Sequence, residues 1–123
     1  MKLVLAVCIM LLSPLIVFAQ VPTTILADFN RAYLMWDWEK GTGGDVELFM
    51  VKCGNQSGVY NTAVSVDKST FQAKVSSVVP AVGEYFCVVT AKNRFGESNP
   101  SNEIHFEAGL SPVGPANLRM VIP

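Results

Sequence analysis

Histidine is nearly absent from this sequence, and its scarcity excludes a large class of enzymes. The 123 residues contain one histidine, His105. A hydrolase triad needs a histidine beside the nucleophile to carry the proton. Ile104 and Phe106 flank His105 in a predicted strand, so we expect the imidazole to point outward into solvent. The sequence therefore predicts no such triad.

Other catalytic and metal-binding patterns are missing as well. Zinc requires three or four converging ligands, and one outward histidine with cysteines on other strands does not supply them. The glycines of 41–44 do not open a helix, as those of a phosphate-binding loop would. Carboxylates that would have to pair for glycosidase chemistry are spread over separate turns, namely Asp37, Asp45, Glu47 and Glu84. We expect no enzyme activity, metal, cofactor or small-molecule substrate.

Charge is absent from residues 3–18, which follow the basic Lys2. This layout, with the small residues Val17 and Ala19 at the expected cleavage site, is typical of a signal peptide. The uncharged run is shorter than the roughly 20 residues that cross a bilayer. We predict a signal peptide over 1–19 and a secreted, extracellular protein with no further membrane segment. An uncleaved N-terminal segment would instead keep the protein at the cell envelope or surface.

No excess of basic residues remains after that cleavage. The mature chain has eight basic and ten acidic residues, a formal charge of −2. Its lysines and arginines are scattered, whereas nucleic-acid binding normally needs a concentrated positive face that displaces counterions. We therefore expect no nucleic-acid partner.

Short apolar or alternating runs fill the region 24–106, separated by Gly, Asn, Asp, Ser and Pro. No stretch in this region has helical periodicity. We predict an all-β domain over 21–108 with seven strands, at 24–29, 32–38, 46–53, 59–66, 70–75, 85–91 and 103–107. On the third of these, Phe49, Val51 and Cys53 are expected to share the inner face.

The sixth predicted strand and the turn after it carry the most specific pattern in the chain. The residues Tyr-x-x-x-Val-x-Ala-x-Asn-x-x-Gly-x-Ser, beginning at Tyr85, resemble the strand F and F–G loop signature of fibronectin type III domains. Leu34-x-Trp36 and Phe49-x-Val51 look like the core positions of strands B and C in that family. The resemblance covers roughly residues 21–108. It implies a seven-stranded, immunoglobulin-like β-sandwich with Trp36 and Tyr85 in its core.

An immunoglobulin domain is the main alternative, because 83–87 (Gly-Glu-Tyr-Phe-Cys) looks like its strand F with a tyrosine corner. In that pattern a cysteine precedes the core tryptophan, and no mature cysteine precedes Trp36. The spacing from Tyr85 to the following Asn and Gly is also too long for an immunoglobulin strand F. These differences favour the fibronectin type III family. Trp38 departs from that family's pattern, in which a proline is common at this place.

Two cysteines remain after cleavage, Cys53 and Cys87, and an even count in an exported chain suggests a bridge. In the sandwich that the resemblance implies, strands C and F are antiparallel neighbours. The end of one therefore lies beside the start of the other, where the two cysteines are found, both on expected inner faces. We predict a disulfide between them; the alternative is a pair of buried free thiols.

Asn55-Gln56-Ser57 fits the acceptor pattern for N-glycosylation. The tripeptide falls in an expected exposed turn, which makes Asn55 the candidate acceptor. The site matters only if the chain is exported through a eukaryotic secretory route.

The leading functional hypothesis is a non-catalytic extracellular module for binding or adhesion, with a protein or cell-surface partner. Loops at the ends of a rigid sandwich can vary without disturbing its core. Arg94, Phe95 and Glu97 are the candidate binding residues, because an arginine beside an exposed aromatic residue is typical of interface anchors. By resemblance, three loops share one end, at 39–45, 67–69 and 94–99. The Arg-Gly-Asp tripeptide of some family members is missing, so integrin binding is not implied.

A structural role is the second hypothesis, as a spacer or assembly subunit of an envelope, matrix or virion. Residues 109–123 are rich in Gly and Pro and predict a linker or extended arm. Within this tail, 115–119 (Pro-Ala-Asn-Leu-Arg) resembles the opening strand of another fibronectin type III repeat, as in a fragment of a tandem array. The same arm could add as a strand to the exposed edge of a neighbouring molecule.

Overall fold

The computed structural model describes residues 24–123, and the predicted signal peptide, 1–19, lies outside the described residues. Strands dominate the described part, and its helical content is one turn of four residues. The elements are β1 (Ile25–Asp28), β2 (Tyr33–Met35), β3 (Leu48–Gly54), β4 (Thr62–Asp67), β5 (Gln72–Lys74), α1 (Val75–Val78), β6 (Gly83–Asn93), β7 (Gly96–Glu97) and β8 (Ile104–Gly109). Among residues 24–123, no helix is long and apolar enough to cross a membrane.

The strands form two sheets, which confirms the predicted all-β class. The larger sheet has the order β1-β8-β6-β3-β4, with β7 also paired to β6, and the smaller sheet pairs β2 with β5. Every pairing is antiparallel except that of β1 with β8. The first strand therefore belongs to the larger sheet, beside the last strand of the domain.

The inner face of β3 forms the middle of the core. Phe49, Val51 and Cys53 are all at most 1% exposed, as the alternation along this strand predicts. Cys87 of β6 and Phe106 of β8 join Val51 and Cys53 in one buried cluster across neighbouring strands. Burying a side chain such as phenylalanine or valine stabilises a fold by about 1.5–3 kcal/mol. The cluster therefore stabilises the larger sheet.

Tyr85 fixes the connection that leads into β6. Its ring is buried and lies 6.0 Å from the ring of Phe106. Its hydroxyl donates a hydrogen bond of 2.8 Å to the carbonyl of Ala81, which avoids the cost of an unpaired polar group in the core. Gly83 next to it has a φ of +150°, a conformation that side-chain-bearing residues rarely adopt. Tyr85 and Gly83 together set the direction in which β6 begins.

Cys53 and Cys87 form a disulfide, which confirms the predicted bridge. The two residues are direct partners in the pairing of β3 with β6, and both are buried. The bridge joins positions that are 34 residues apart in sequence. It therefore crosslinks the two longest strands described, at the end of β3 and near the start of β6.

The second predicted strand, 32–38, is longer than the observed one, because β2 ends at Met35. One further hydrogen bond, from the Trp36 N–H to the Phe71 carbonyl at 3.0 Å, extends the pairing. Beyond it the chain leaves the sheet. The rings of Trp36 and Trp38 pack against Phe49 instead. Tertiary packing thus overrides the strand propensity of this aromatic segment.

A helical turn replaces the end of the fifth predicted strand, 70–75. α1 buries Val75 and Val78, which lie three residues apart and therefore on one face of the turn. The Val79 N–H closes the turn by donating to the Val75 carbonyl at 3.0 Å. One turn is too short to show a helical period in a sequence, which explains why none was predicted.

Two further differences concern turns. The fourth predicted strand, 59–66, begins later, because the Val59 N–H donates to the Gln56 carbonyl at 3.1 Å and holds the chain in a tight turn. The predicted turn 93–101 contains β7, which makes eight described strands where seven were predicted. Gly96, with a φ of +154°, allows the chain to reverse and pair with the end of β6.

Candidate functional site

Three connections meet at the end of the domain where β6 ends. The side-chain amide of Asn93 donates to the carbonyl of Asp45 at 2.8 Å. The Glu47 N–H donates to the Lys92 carbonyl at 2.8 Å. The connection between β4 and β5 lies at the same end, because the last residue of β4 pairs with the first residue of β3. We call this region the loop end, and it comprises residues 36–47, 67–71 and 93–101.

Three aromatic side chains surround Phe49 at the loop end. The ring centroids of Trp36, Trp38 and Phe71 lie 5.7, 6.0 and 5.6 Å from that of Phe49. Phe49 is buried, whereas Phe71 is exposed and both tryptophans are half-buried. Their outward parts line an open cleft with a volume of about 1020 Å³. We call it the aromatic cleft, and its lining residues are 35–39 and 69–72.

Trp38 lies at the centre of the loop end. Besides the aromatic cleft, it lines a cavity of about 300 Å³ beside 43–46 and another of about 180 Å³ beside 98–101. Trp36 packs against the buried core cluster, whereas Trp38 is not part of that contact set. Trp38 is therefore a large, half-buried aromatic residue whose described contact with a buried ring is that with Phe49.

Acidic groups determine the charge of the aromatic cleft. Asp37 and Glu39 are exposed on its lining, and neither forms an ion pair with any described residue. Its lining contains no lysine, arginine or histidine. Lys40, the next residue along the chain, pairs with Asp45 at 3.1 Å. The cleft therefore combines aromatic faces with two carboxylates that form no ion pair among the described residues, and both features attract cations.

Arg94 and Phe95 lie at the tip of the turn between β6 and β7. The Phe95 side chain is 89% exposed, and its N–H donates to the Asn93 side chain at 2.8 Å. The Arg94 Nε atom lies 3.5 Å from a carboxylate oxygen of Glu47. Neither Arg94 nor Phe95 lines the aromatic cleft. The structure thus places them at the loop end but on a separate protrusion.

Glu97 lies on the sheet rather than at the tip of its turn. Its carboxylate is 2.5 Å from the Lys52 ammonium and accepts a hydrogen bond of 2.6 Å from the Thr90 hydroxyl. These two partners, the lysine first, hold the pKa of Glu97 below its usual range. Its geometry is that of a residue that ties β7 to the outer face of β3 and β6.

Asn55 lies in the exposed turn that follows β3. Its side-chain amide donates to the Glu84 carbonyl at 3.0 Å. The hydroxyl of Ser57, in the same acceptor tripeptide, donates to Glu103 at 2.6 Å. The side chains of Asn55 and Ser57 are therefore both hydrogen-bonded in the folded domain.

His105 lies on the face of β8 opposite to that of the buried Phe106. Its ring stacks on Phe86 with centroids 4.2 Å apart, and its Nε2 atom is 3.6 Å from a carboxylate oxygen of Glu84. Within residues 24–123, no three His, Cys, Asp or Glu side chains come close enough to hold a metal ion.

The sequence analysis did not identify the aromatic cleft. The sequence predicts Trp36 in the core, Phe71 within a strand, and Trp38 at the end of the strand 32–38, as a departure from the fibronectin type III pattern. That departure was the available signal, because a large aromatic residue replaces the proline that is common there, between Asp37 and Glu39. No protein-family model, curated protein or solved structure matches the chain.

Proposed function

We propose that this chain is a non-catalytic, extracellular binding module that recognises a protein or cell-surface partner through the aromatic cleft. The observation that carries the proposal is the group of Trp36, Trp38 and Phe71 around Phe49, open to solvent and flanked by unpaired carboxylates. Half-exposed tryptophans on a rigid base are the residues that contribute most to protein interfaces.

The family and the compartment belong to the same proposal. A fibronectin type III-like fold is supported by the division of strands between two sheets and by the Tyr85 hydroxyl bond to Ala81. The parallel pairing of β1 with β8 is a departure, since it moves the first strand to the larger sheet. Export is supported by the Cys53–Cys87 disulfide, because such bonds persist mainly in oxidising compartments.

A comparison of two single variants tests the binding function. Wild-type protein, Trp38→Ala and Phe95→Ala are immobilised and exposed to the surrounding extracellular medium or to cell-surface extracts, and captured proteins are identified by mass spectrometry. We expect a partner that wild type and Phe95→Ala retain and that Trp38→Ala loses. Loss of an interface anchor costs about 2 kcal/mol or more, a decrease in affinity of roughly 30-fold.

Phe95→Ala is the matched control, because it removes an exposed aromatic side chain at the same end of the domain, outside the aromatic cleft. Selective loss with Phe95→Ala would assign binding to the turn between β6 and β7 instead. Equal capture by all three proteins would contradict a role for either surface.

Assembly is a second candidate function, and the tail 110–123 favours it. Val113, Leu118, Met120 and Ile122 are at least 80% exposed. Monomeric soluble proteins rarely leave a series of large apolar side chains without a cover. The tail therefore has the composition of a segment that contacts another molecule.

A further inference from the structure

The tail 110–123 carries one charged residue, Arg119, and no acidic one. Leu118 and Met120 on either side of this arginine are 100% and 85% exposed. The described anchor of the tail to the domain is a hydrogen bond from the Ser111 hydroxyl to the carboxylate of Asp28. The part around Arg119 is thus a short basic and apolar segment that extends away from its own domain.

The aromatic cleft has the complementary composition. A guanidinium group stacks favourably on an indole face and is more weakly hydrated than an ammonium group. The carboxylates of Asp37 and Glu39 on the cleft lining have no ion-pair partner among the described residues. A methionine beside the arginine would add favourable contacts between its sulfur and the aromatic rings. Charge and side-chain chemistry therefore match Arg119 to the surroundings of Trp38.

The tail leaves the domain at the end opposite to the aromatic cleft. Gly109 is the last residue of β8, and Ala108 before it pairs with Gly83, the first residue of β6. Phe49, at the base of the cleft, pairs with Ala91 toward the other end of β6, eight residues and roughly 26 Å from Gly83 at the usual rise of a strand.

The tail does not pair with the cleft of its own chain. Arg119 donates a hydrogen bond of 3.1 Å to the Asn117 carbonyl within the tail and forms no ion pair with Asp37, Glu39 or any other described residue. The cleft is therefore open to the tail of a second molecule.

We propose that the aromatic cleft of one copy receives the tail of a second copy, with Arg119 over Trp38 and between Asp37 and Glu39. The inference rests on the proposed binding function of the cleft and names its partner. Because the donor and the acceptor lie at opposite ends of each molecule, the contact is heterologous and each copy can both give and receive a tail. The expected product is a head-to-tail chain of copies.

Charge reversal tests the proposal on the full chain. Sedimentation velocity of the wild-type protein should show self-association that increases between about 10 µM and 1 mM and weakens at high salt. Arg119→Glu, and separately Asp37→Lys with Glu39→Lys, should each reduce association at least about tenfold. An equimolar mixture of the two variants should associate again, because the reversed tail then meets a reversed cleft.

Lys74→Glu is the matched control, since it makes the same charge change on an exposed residue at the end of β5, outside the cleft lining. It should associate like the wild type. Tryptophan emission gives a second readout, because both tryptophans of the chain, Trp36 and Trp38, line the cleft and the tail has no aromatic residue. Emission should change with concentration in wild type and in Lys74→Glu, and not in Arg119→Glu.

A wild-type protein that remains monomeric up to about 1 mM would overturn the proposal. So would equal association of Arg119→Glu and Lys74→Glu, or a mixture of reversed variants that stays monomeric. If the protein is monomeric while Trp38→Ala still loses a captured partner, the binding function stands and the occupant is a foreign molecule. If Trp38→Ala affects neither capture nor association, both proposals fail.

Discussion

Gly54, at the end of β3, shows how closely one residue can be constrained by its surroundings. A Cβ atom at this position would lie 1.9 Å from the carbonyl oxygen of Val59 and 3.0 Å from the Cα of Tyr60. These are backbone atoms of the turn that leads to β4, so they cannot move aside as a flexible side chain would. Glycine at 54 therefore permits the turn to pack against the strand.

Gly54→Ala should destabilise the domain by about 3 kcal/mol or more, at the upper end of overpacking costs. Urea denaturation followed by circular dichroism measures the change. Gly109→Ala is the control. No atom lies within 4 Å of the Cβ that the alanine would add, and the φ of Gly109 lies outside the left-handed region that favours glycine. A urea midpoint of Gly54→Ala equal to that of Gly109→Ala would contradict the packing described at Gly54. If Gly54→Ala fails to fold while Gly109→Ala folds, the result agrees with that packing.

Individual core residues of β3 could be predicted from the sequence, but the aromatic cleft could not. The buried set of Phe49, Val51 and Cys53 follows from alternation, since a strand places every second residue on one face. Trp38 lies beyond the end of β2, where no periodicity applies. Its position depends on the packing of its ring against Phe49 and on the course of 39–45, and neither is encoded in a local pattern.

At the scale of elements, Glu103 fastens the turn after β3 to the segment before β8. It accepts hydrogen bonds from the Ser57 hydroxyl at 2.6 Å, the Tyr60 hydroxyl at 2.5 Å and the Gly58 N–H at 3.0 Å. These bonds, with that of Ser57 contributing most, lower the pKa of Glu103 below its ordinary value of 4.5. The same contact raises the pKa of the Tyr60 phenol. The carboxylate thus links the turn after β3 to the segment before β8.

The lowered pKa predicts how stability depends on pH. Because Glu103 binds its proton more weakly in the folded state, its carboxylate stabilises the fold above the unfolded-state pKa, and this contribution is lost as pH falls through the folded-state pKa. Glu103→Gln should therefore be less stable than wild type at neutral pH, and the difference should shrink toward about pH 3. Urea midpoints at several pH values measure this.

Glu107→Gln is the appropriate comparison for that series. Glu107 is exposed on β8, and its side chain has no hydrogen bond or ion pair with any described residue. Its midpoint should follow that of the wild type across the pH range. If the urea midpoints of Glu103→Gln and wild type differed by the same amount at every pH, the ionised Glu103 carboxylate would not be the group that holds the two segments together.

The elements with long apolar or alternating runs were predicted well, and the short ones were not. β3 and β6 match their predicted strands to within a few residues at each end. β2 and β5 have three residues each, and α1 has four. These elements are too short to show the two-residue alternation of a strand or the 3.6-residue period of a helix. Their bounds are set by contacts with Phe49 and with the core, which only the folded chain supplies.

For the whole molecule, the Cys53–Cys87 bridge restricts the unfolded chain more than it alters the folded one. Closing a loop of 34 residues lowers the entropy of the unfolded state, worth about 3–4 kcal/mol in the chain-entropy model. A domain of this size is stable by only about 5–15 kcal/mol in total. Reduction should therefore lower the urea midpoint strongly, and thiol alkylation with mass spectrometry reports whether the bond is open.

The oxidised protein treated with the alkylating agent alone is the control, and it should keep its midpoint and gain no label. Labelling of two thiols before reduction would mean that the bridge is absent. An unchanged midpoint after verified reduction would show that β3 and β6 are held together without it.

The arrangement of the whole domain was predictable in class but not in every pairing. An all-β fold with two sheets and a bridge between neighbouring strands follows from strand spacing, from the fibronectin type III resemblance and from the positions of the cysteines. The placement of β1 beside β8 does not, because a strand of four residues can add to either sheet. The loop end was likewise expected, whereas the side chains that meet there depend on loop conformations.

The Tyr85 corner, α1 and the disulfide all lie toward the end of the domain where β6 begins. Cys53 lies five positions, or roughly 17 Å, along β3 from Leu48, the first residue of that strand at the loop end. Foreign peptides could accordingly be grafted in place of 40–45 without touching the crosslink. The same separation makes the domain a suitable scaffold for display libraries, in which diversity is introduced at one pole and thermal robustness is engineered independently at the other.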